Sequence, residues 1–311
     1  MLDAQLKQLL AAMAAAGAPD LGDLPPDAGR QVYRQILAAG DLPRADVAVE
    51  DRSIFLLGGS VGLRIYRPRR QVGACGVVLY CHGGGFVLGD LDAYDSVCRT
   101  ICFESGSIVV SVDYRLAPEH PFPAAVEDCL AALTWVAGHA EELGCDGRRL
   151  AVCGDSAGGN LAAVLALAAR NQGIKLRYQV LIYPVTSAAP GDLPSHTEFG
   201  TGYVLSRNAM EAFSRHYFGG DGRAPDWRGA PLLEEDLAGL APALVLVGGY
   251  DVLRDDGIAY ADAMTKSGNQ VTLIEYAGMS HGFINMAATM TAGRLALCQV
   301  ASALRQALVV A

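Results

Sequence analysis

Apolar segments of β-type composition alternate with helical segments along most of this chain, and this alternation constrains the fold more than any other feature. Strands separated by helices need crossover connections, which predicts an α/β fold with an eight-stranded, mostly parallel sheet and helices on both faces. The first two strands are predicted to form a hairpin at the edge of the sheet. The predicted strands lie near residues 46–57, 61–67, 75–81, 107–113, 149–154, 177–183, 243–248 and 271–276, and the predicted helices near 92–104, 123–141, 157–171, 255–267 and 285–309.

Two regions, residues 1–45 and 185–240, depart from that alternation. Proline, glycine and aromatic residues in the second region are typical of an excursion from the sheet. In open α/β sheets a site lies beyond the carboxyl ends of the strands, so segments inserted there can fold over it. We therefore predict a helical cap built from 1–45 and 185–240, and a catalytic domain built from 46–184 and 241–311.

The first helix of the predicted cap is indicated by apolar residues that share one face at helical spacing. The alternative, the apolar part of a secretory signal, is disfavoured by Asp3 and by the lack of a leading basic segment. No run approaches the roughly 18–20 apolar residues that cross a bilayer, so no stable membrane insertion is predicted. The residues of the apolar face are Leu2, Leu6, Leu9, Leu10 and Met13.

Composition excludes several classes of protein. With 311 residues, 51% of them hydrophobic, the chain is large enough to bury a substantial core. A formal net charge of -9 argues against nucleic acid or an anionic membrane as a partner. The eight cysteines form no C-x-x-C pair, and several lie in strand or helix patterns, so we predict buried thiols in a reducing, cytoplasmic compartment. The oligomeric state stays open between a monomer and a homodimer.

The pattern G-x-S-x-G occurs twice, around Ser60 and around Ser156. A nucleophilic serine of this pattern needs a strand before it and a helix after it. Ser156 follows the apolar run LAVCG and precedes the helical run AGGNLAAVLALAARNQG, whereas Ser60 lies between two strand-like runs. We therefore select Ser156 and assign Ser60 to the hairpin. Gly154 and Gly158 are expected to remove side chains that would collide at the tight turn.

A serine hydroxyl needs a base to take its proton and an acid to orient that base. On a sheet of this kind the partners follow in the order serine, acid, histidine, each in a loop after a strand. Of the six histidines, only His281 lies beyond the last predicted strand. Asp251 directly follows the preceding strand, while Asp255 and Asp256 open a helical run, where carboxylates favour the helix N-terminus. We predict His281 as the base and Asp251 as the acid.

Acyl transfer also needs backbone amides that converge on the developing oxyanion. The glycine run after the third strand supplies Gly83, Gly84 and Gly85, and Ala157 adds the amide that follows the nucleophile. A phosphate-binding loop is the alternative for such a run, but the G-K-[ST] ending is missing. His82 is predicted to fix this loop by hydrogen bonding. No histidine or cysteine pair has metal-ligand spacing, so neither a metal nor another cofactor is predicted.

With these motifs the chain resembles the hormone-sensitive lipase family of carboxylesterases, in particular its bacterial GDSAGG branch. The resemblance implies an α/β-hydrolase fold, with Ser156 as nucleophile, Asp251 as acid and His281 as base, and it implies an oxyanion hole from the glycine run and Ala157. The sequence departs from the family at Val252, where proline is usual after the acid. The matching stretches are HGGGF at 82–86, DYRLAPEHPFPAA at 113–125, GDSAGGNLA at 154–162, DVLRDDG at 251–257 and HGF at 281–283.

These residues predict a carboxylesterase that hydrolyses small-molecule esters of short to medium acyl length through an acyl-enzyme. Two alternatives remain open. The same triad could hydrolyse amides or peptides, and the same scaffold could serve as a small-molecule receptor that binds without turnover. Receptors that resemble this family lack the catalytic histidine, whereas His281 is present here.

Overall fold

A computed structural model describes residues 1–56, 59–69 and 75–308. Eight strands form one sheet in the order β1-β2-β4-β3-β5-β6-β7-β8. Strand β2 is antiparallel to both of its neighbours, and the remaining pairings are parallel, which confirms the predicted sheet. The strands are β1 Val47–Leu56, β2 Gly59–Pro68, β3 Cys75–Cys81, β4 Ile108–Asp113, β5 Cys145–Asp155, β6 Tyr178–Ile182, β7 Ala243–Gly248 and β8 Val271–Tyr276.

Ten α-helices lie in the described part of the chain, and three short 3₁₀ helices accompany them. The α-helices are α1 Ala4–Ala15, α2 Pro26–Gly40, α3 Asp95–Ser105, α4 Ala124–Gly138, α5 Ala140–Leu143, α6 Ala157–Gln172, α7 Ser195–Glu198, α8 Arg207–Phe218, α9 Arg254–Lys266 and α10 Thr291–Leu308. The 3₁₀ helices are Leu21–Asp23, Pro231–Leu233 and Phe283–Met286. In the parts of the chain that the structure describes, no helix combines the length and apolar character that crossing a membrane requires.

Side chains that alternate along the central strands build two cores, one on each face of the sheet. Val77 and Leu79 of β3 belong to the core that residues of α4, α6 and α9 also form, whereas Val78 and Tyr80 belong to the core formed with α3 and α10. This is the period of two expected for a strand buried on both faces. The predicted layer of helices on each face is therefore present, and the sheet positions every loop that follows a strand.

Several boundaries differ from the sequence prediction. Strand β5 starts at Cys145, before the predicted 149, because Cys145 pairs with Cys75 across a register shift. The predicted helix 123–141 is interrupted at His139, whose backbone leaves the helical region. The last α-helix begins only at Thr291, because Phe283–Met286 forms a separate 3₁₀ turn.

The predicted hairpin is present as an antiparallel pairing in which Ser60 faces Phe55 at the edge of the sheet. Its turn, including Gly58 of the G-x-S-x-G pattern, lies outside the described residues, as does the predicted end of the last helix at 309.

At the N-terminus, Leu6 of α1 is buried and the other residues of the predicted apolar face are partly buried. The amphipathic helix predicted at the N-terminus is therefore confirmed.

Candidate active site

Ser156 occupies the corner between β5 and α6. The strand ends at Asp155 and the helix begins at Ala157, so this one residue makes the turn, with φ 57° and ψ -118°. Such a conformation costs a non-glycine residue on the order of 1–3 kcal/mol. A Cβ atom on Gly154 would collide with the carbonyl oxygen of Gly158, and one on Gly158 with the carbonyl oxygen of Cys81. The two glycines thus make room for the strained turn, as the sequence predicted.

The three residues chosen by chain order meet at the carboxyl ends of the strands. His281 Nε2 lies 2.9 Å from Ser156 Oγ, and His281 Nδ1 lies 2.9 Å from Asp251 Oδ2. The second carboxylate oxygen of Asp251 accepts the amide of Leu253 at 2.9 Å. Asp251 is fully buried, whereas His281 and Ser156 keep 9% and 8% of their surface exposed. The chain therefore has a hydroxyl, an imidazole and a carboxylate in hydrogen-bonded series, with only the reacting end accessible.

Tyr183, which belongs to none of the sequence motifs, packs against the imidazole. Its ring centroid lies 4.6 Å from that of His281, and it also contacts Phe283. Tyr183 has φ 35°, so a second non-glycine residue of the site adopts a left-handed conformation. It directly follows β6, and this position at a strand end is the only sequence signal that could have indicated it.

In the glycine loop after β3, some backbone groups form hydrogen bonds within the protein and others do not. The Gly83 amide donates to Asp155 Oδ1 at 2.9 Å, so the oxyanion donor predicted at Gly83 is already occupied. The Gly84 carbonyl accepts the amides of Val87 and Leu88. Among the described residues, the amides of Gly84, Gly85 and Ala157 have no protein acceptor. We therefore narrow the predicted oxyanion donors to these three amides.

His82 lies at the base of the loop. Its Nδ1 donates to the Gly83 carbonyl at 2.8 Å, and its ring stacks on Tyr114 with the centroids 4.3 Å apart. Burial lowers the pKa of the imidazole to about 4, against a weaker opposing effect of the Gly83 carbonyl and Asp90. His82 is therefore neutral near pH 7. These contacts are those expected of a residue that holds the loop.

Two buried carboxylates outside the triad were not predicted to have a role at the site. Asp155 accepts the hydroxyls of Tyr80 and Tyr94 as well as the Gly83 amide. Burial raises the pKa of Asp155, although the tyrosine hydrogen bonds oppose this effect. Asp256 lies in the first turn of α9 as predicted, and it also bonds His196 at 2.6 Å. Asp155 directly precedes Ser156, and Asp256 lies in the predicted stretch 251–257. The hydrogen-bond partners of both aspartates are distant in sequence, so the sequence does not indicate these contacts.

A largely apolar cavity opens onto Ser156 and His281. Its walls come from both regions that depart from the alternation of strands and helices. Leu21, Tyr33, Ile36 and Leu37 come from the first region, and Val204, Leu205, Met210, Phe213 and Phe218 come from the second. Among the described residues, no group of three or more histidine, cysteine, aspartate or glutamate side chains is arranged to hold a metal ion.

Known proteins share this architecture and much of this sequence. Residues 78–285 match the family model described as the alpha/beta hydrolase fold. The chain belongs to the α/β-hydrolase fold family. Esterase LipI of Mycobacterium tuberculosis is 45% identical over 274 residues, which cover 86% of this chain and 85% of that protein. The ethyl acetate hydrolase of Pseudomonas putida is 39% identical over 275 residues, covering 87% and 86%.

A solved structure supports the same assignment. A thermostable esterase from Pseudomonas putida ECU1011 superimposes with a TM-score of 0.94 and 35% identity, covering 100% of this chain and 98% of that one. These relatives confirm the α/β-hydrolase fold and the predicted membership among carboxylic ester hydrolases of the hormone-sensitive lipase family. The finer assignment to the GDSAGG branch stays a prediction.

Proposed function

We propose that this chain hydrolyses carboxylic esters of short to medium acyl length, with Ser156 as nucleophile, His281 as base and Asp251 as orienting acid. The observation that carries the proposal is the imidazole of His281, which lies 2.9 Å from Ser156 Oγ on one side and 2.9 Å from Asp251 on the other. Hydrogen bonding to Asp251 fixes the tautomer that leaves Nε2 free to accept the hydroxyl proton.

In the proposed reaction, Ser156 Oγ attacks the ester carbonyl carbon while its proton passes to His281 Nε2. The carbonyl oxygen becomes an oxyanion that accepts the amides of Gly84, Gly85 and Ala157. When the intermediate collapses, the bond to the alcohol oxygen breaks and His281 returns the proton to that oxygen. Water then attacks the acyl-enzyme with His281 again as base, releasing the acid and regenerating the Ser156 hydroxyl.

The cavity supports a neutral, largely apolar substrate. Asp155 and His281 are the only acidic, basic or imidazole side chains among the described residues that line it. Because residues 1–45 and 185–240 supply much of the lining, we propose that these two segments form a cap over a catalytic domain of 46–184 and 241–311. A covered cavity favours short to medium acyl chains over aggregated long-chain lipid.

Two further assignments belong to this proposal. All eight cysteines are free thiols, and six of them are buried, in keeping with a reducing, cytoplasmic environment. The choice between a monomer and a homodimer stays open.

The test is kcat/KM on p-nitrophenyl esters of increasing acyl length, measured for the unmodified chain and for Ser156→Ala. We expect the substitution to lower kcat by roughly 10⁴- to 10⁶-fold. Ser60→Ala is the matched control, because Ser60 is an exposed serine in the same sequence pattern but lies at the start of strand β2, away from the carboxyl ends of the parallel strands. Full esterase activity in folded Ser156→Ala would contradict the proposal. Matched anilides in the same assay test amide hydrolysis, and ligand binding without turnover would indicate the receptor alternative.

A further inference from the structure

Asp155 presents a buried carboxylate that the proposed reaction does not use. It is 1% exposed and receives four hydrogen bonds. Tyr80 Oη and the Gly83 amide donate to Oδ1 at 2.8 and 2.9 Å, and Tyr94 Oη and Asn285 Nδ2 donate to Oδ2 at 3.1 and 3.4 Å. A carboxylate that is fully desolvated needs such partners to stay buried. The partners come from three separate segments of the chain, so Asp155 joins the nucleophile turn to its surroundings.

One of these bonds helps to set the orientation of the glycine loop. A peptide unit is planar and trans, so its carbonyl and amide point in opposite directions. In the peptide between His82 and Gly83, Tyr114 Oη donates to the carbonyl at 2.7 Å and Asp155 accepts the amide. This peptide is therefore held on both sides.

The orientation of the next peptide, between Gly83 and Gly84, depends on the first. Its carbonyl, on Gly83, accepts from His82 Nδ1 at 2.8 Å, so its amide, on Gly84, must point the other way. Gly84 has φ 114°, and a Cβ atom there would collide with the backbone of Leu88. The direction of the Gly84 amide thus depends on two fixed peptide units in succession, and Asp155 holds the first of them.

The same carboxylate is connected to the N-terminal region. Tyr94 Oη, which donates to Asp155 Oδ2, lies 2.8 Å from Tyr33 Oη. Tyr33 belongs to α2 and lines the cavity, as do Ile36 and Leu37 of the same helix. The series Tyr33, Tyr94, Asp155 and Gly83 therefore runs from a cavity wall to the loop that carries the oxyanion donors.

We propose that Asp155 is a positioning residue for the Gly84 and Gly85 oxyanion donors, and that Tyr94 and Tyr33 couple it to helix α2. The proposal rests on the function proposed above. Asp155 acts through the backbone of Gly83 and makes no contact with the reacting atoms in the bond-making steps. What Gly83 requires is a hydrogen-bond acceptor at Oδ1, so the role depends on the acceptor more than on the negative charge.

The experiment compares Asp155→Ala, which removes the acceptor, with Asp155→Asn, which keeps an oxygen at Oδ1. Each variant is assayed for kcat and KM on p-nitrophenyl butyrate and for inhibition by n-butylboronic acid. The boronic acid forms a tetrahedral adduct with the serine oxygen and so reports on the oxyanion site. We expect Asp155→Ala to lower kcat by roughly 10²-fold, the size of a lost oxyanion donor, with KM within about 3-fold. The boronate Ki should rise by a similar factor, and Asp155→Asn should recover most of both losses.

Tyr94→Phe keeps the buried ring and tests the proposal even if Asp155→Ala does not fold. We expect roughly a 3- to 10-fold loss in kcat, the size of one hydrogen bond. Tyr33→Phe should give a similar loss, and the double variant should be no worse than either single variant. Tyr260→Phe is the matched control, because that hydroxyl of α9 is buried and has no partner among the described residues. It should leave kcat and the boronate Ki unchanged.

Failure of this proposal is distinguishable from failure of the proposed function. If the unmodified chain hydrolyses the ester and Ser156→Ala does not, the function holds. In that case, unchanged kcat and boronate Ki in both Asp155→Ala and Tyr94→Phe would overturn the positioning role. A rise in KM alone, or losses matched by Tyr260→Phe, would also overturn it. An unmodified chain without esterase activity would overturn both proposals.

Discussion

Acidification should destabilise the fold through His82, by an amount that the structure allows to be worked out. Burial lowers the pKa of this imidazole from 6.5 to about 4. Protonation would add a hydrogen at Nε2, which is buried without a hydrogen-bond partner among the described residues. As the pH falls below 6.5, the His82 imidazole becomes protonated in the unfolded chain. In the folded chain the same imidazole stays neutral until the pH reaches about 4. The stability that depends on neutral His82 is therefore fully present above pH 6.5 and is lost progressively as the pH falls towards about 4.

The magnitude follows from the pKa difference between the two states. Each unit corresponds to about 1.4 kcal/mol, so the shift amounts to on the order of 3 kcal/mol of unfolding free energy between pH 6.5 and about 4. The nearby Asp90 carboxylate acts in the opposite direction, because it favours the charged imidazole. Loss of this amount is a large fraction of the stability of an ordinary domain.

The assay is denaturant unfolding across this pH window, for the unmodified chain and for His82→Asn. Asparagine does not titrate, and its side-chain amide can donate to the Gly83 carbonyl in place of Nδ1. His82→Asn should be less stable near neutral pH, because the stacking on Tyr114 is lost, but its stability should fall less steeply with acid. The pKa of carboxylates such as Glu119 is also lowered, here to about 2 by the hydrogen bond from Arg30. Their protonation changes the acid stability of both proteins by the same amount. Parallel pH profiles for the two proteins would refute the reasoning.

Three further outcomes are expected. Asp251→Asn should lower kcat by about 10⁴-fold with little change in the unfolding free energy, because the imidazole then takes the wrong tautomer; a pre-steady-state measurement of acylation checks this. Gly85→Ala should lower kcat on p-nitrophenyl butyrate, because Gly85 has φ 62° and a Cβ atom would meet the Phe213 ring; Phe213→Ala in the same chain should restore part of the loss, and no restoration would count against a steric cause. His196→Ala should cost about 3–5 kcal/mol of unfolding free energy by leaving Asp256 without its buried partner, while kcat/KM of the folded fraction changes less than 3-fold; denaturant unfolding combined with active-site titration checks both.

The sequence carried enough information for the sheet and for the meeting of Ser156, Asp251 and His281, because both depend on local patterns. Strand and helix alternation located all eight strands, since each buried strand is a short apolar run. Chain order selected Asp251 and His281, because loops after parallel strands meet at one edge of the sheet. These predictions rest on position relative to a strand, which a sequence displays directly.

The support for the glycine loop could not be predicted in the same way. Tyr94 is 61 residues from Tyr33 on one side and 61 from Asp155 on the other, and no local period connects the three. Nor does composition reveal which way a glycine amide points. The Gly83 amide was predicted as an oxyanion donor because it belongs to the glycine run, yet its direction is set by a carboxylate on a different strand. The orientation of backbone groups is a property of the packed structure, so the sequence does not display it.

Two histidine–aspartate pairs in this chain show why residue type alone does not identify a base. His281 bonds Asp251 at 2.9 Å and His196 bonds Asp256 at 2.6 Å. The difference lies in the second nitrogen of each ring. His196 Nδ1 accepts the Gly191 amide at 2.8 Å, so its lone pair is already used by a donor that does not release its proton, and both members of this pair are fully buried.

His281 Nε2 instead faces the hydroxyl of Ser156, a group that can give up its proton, at the wall of the cavity. A buried pair whose every donor and acceptor is satisfied fastens one segment to another, as His196 and Asp256 fasten the region after β6 to α9. A pair that leaves one nitrogen facing an ionisable hydroxyl can transfer a proton. The catalytic role proposed for His281 therefore rests on the hydroxyl that its Nε2 faces.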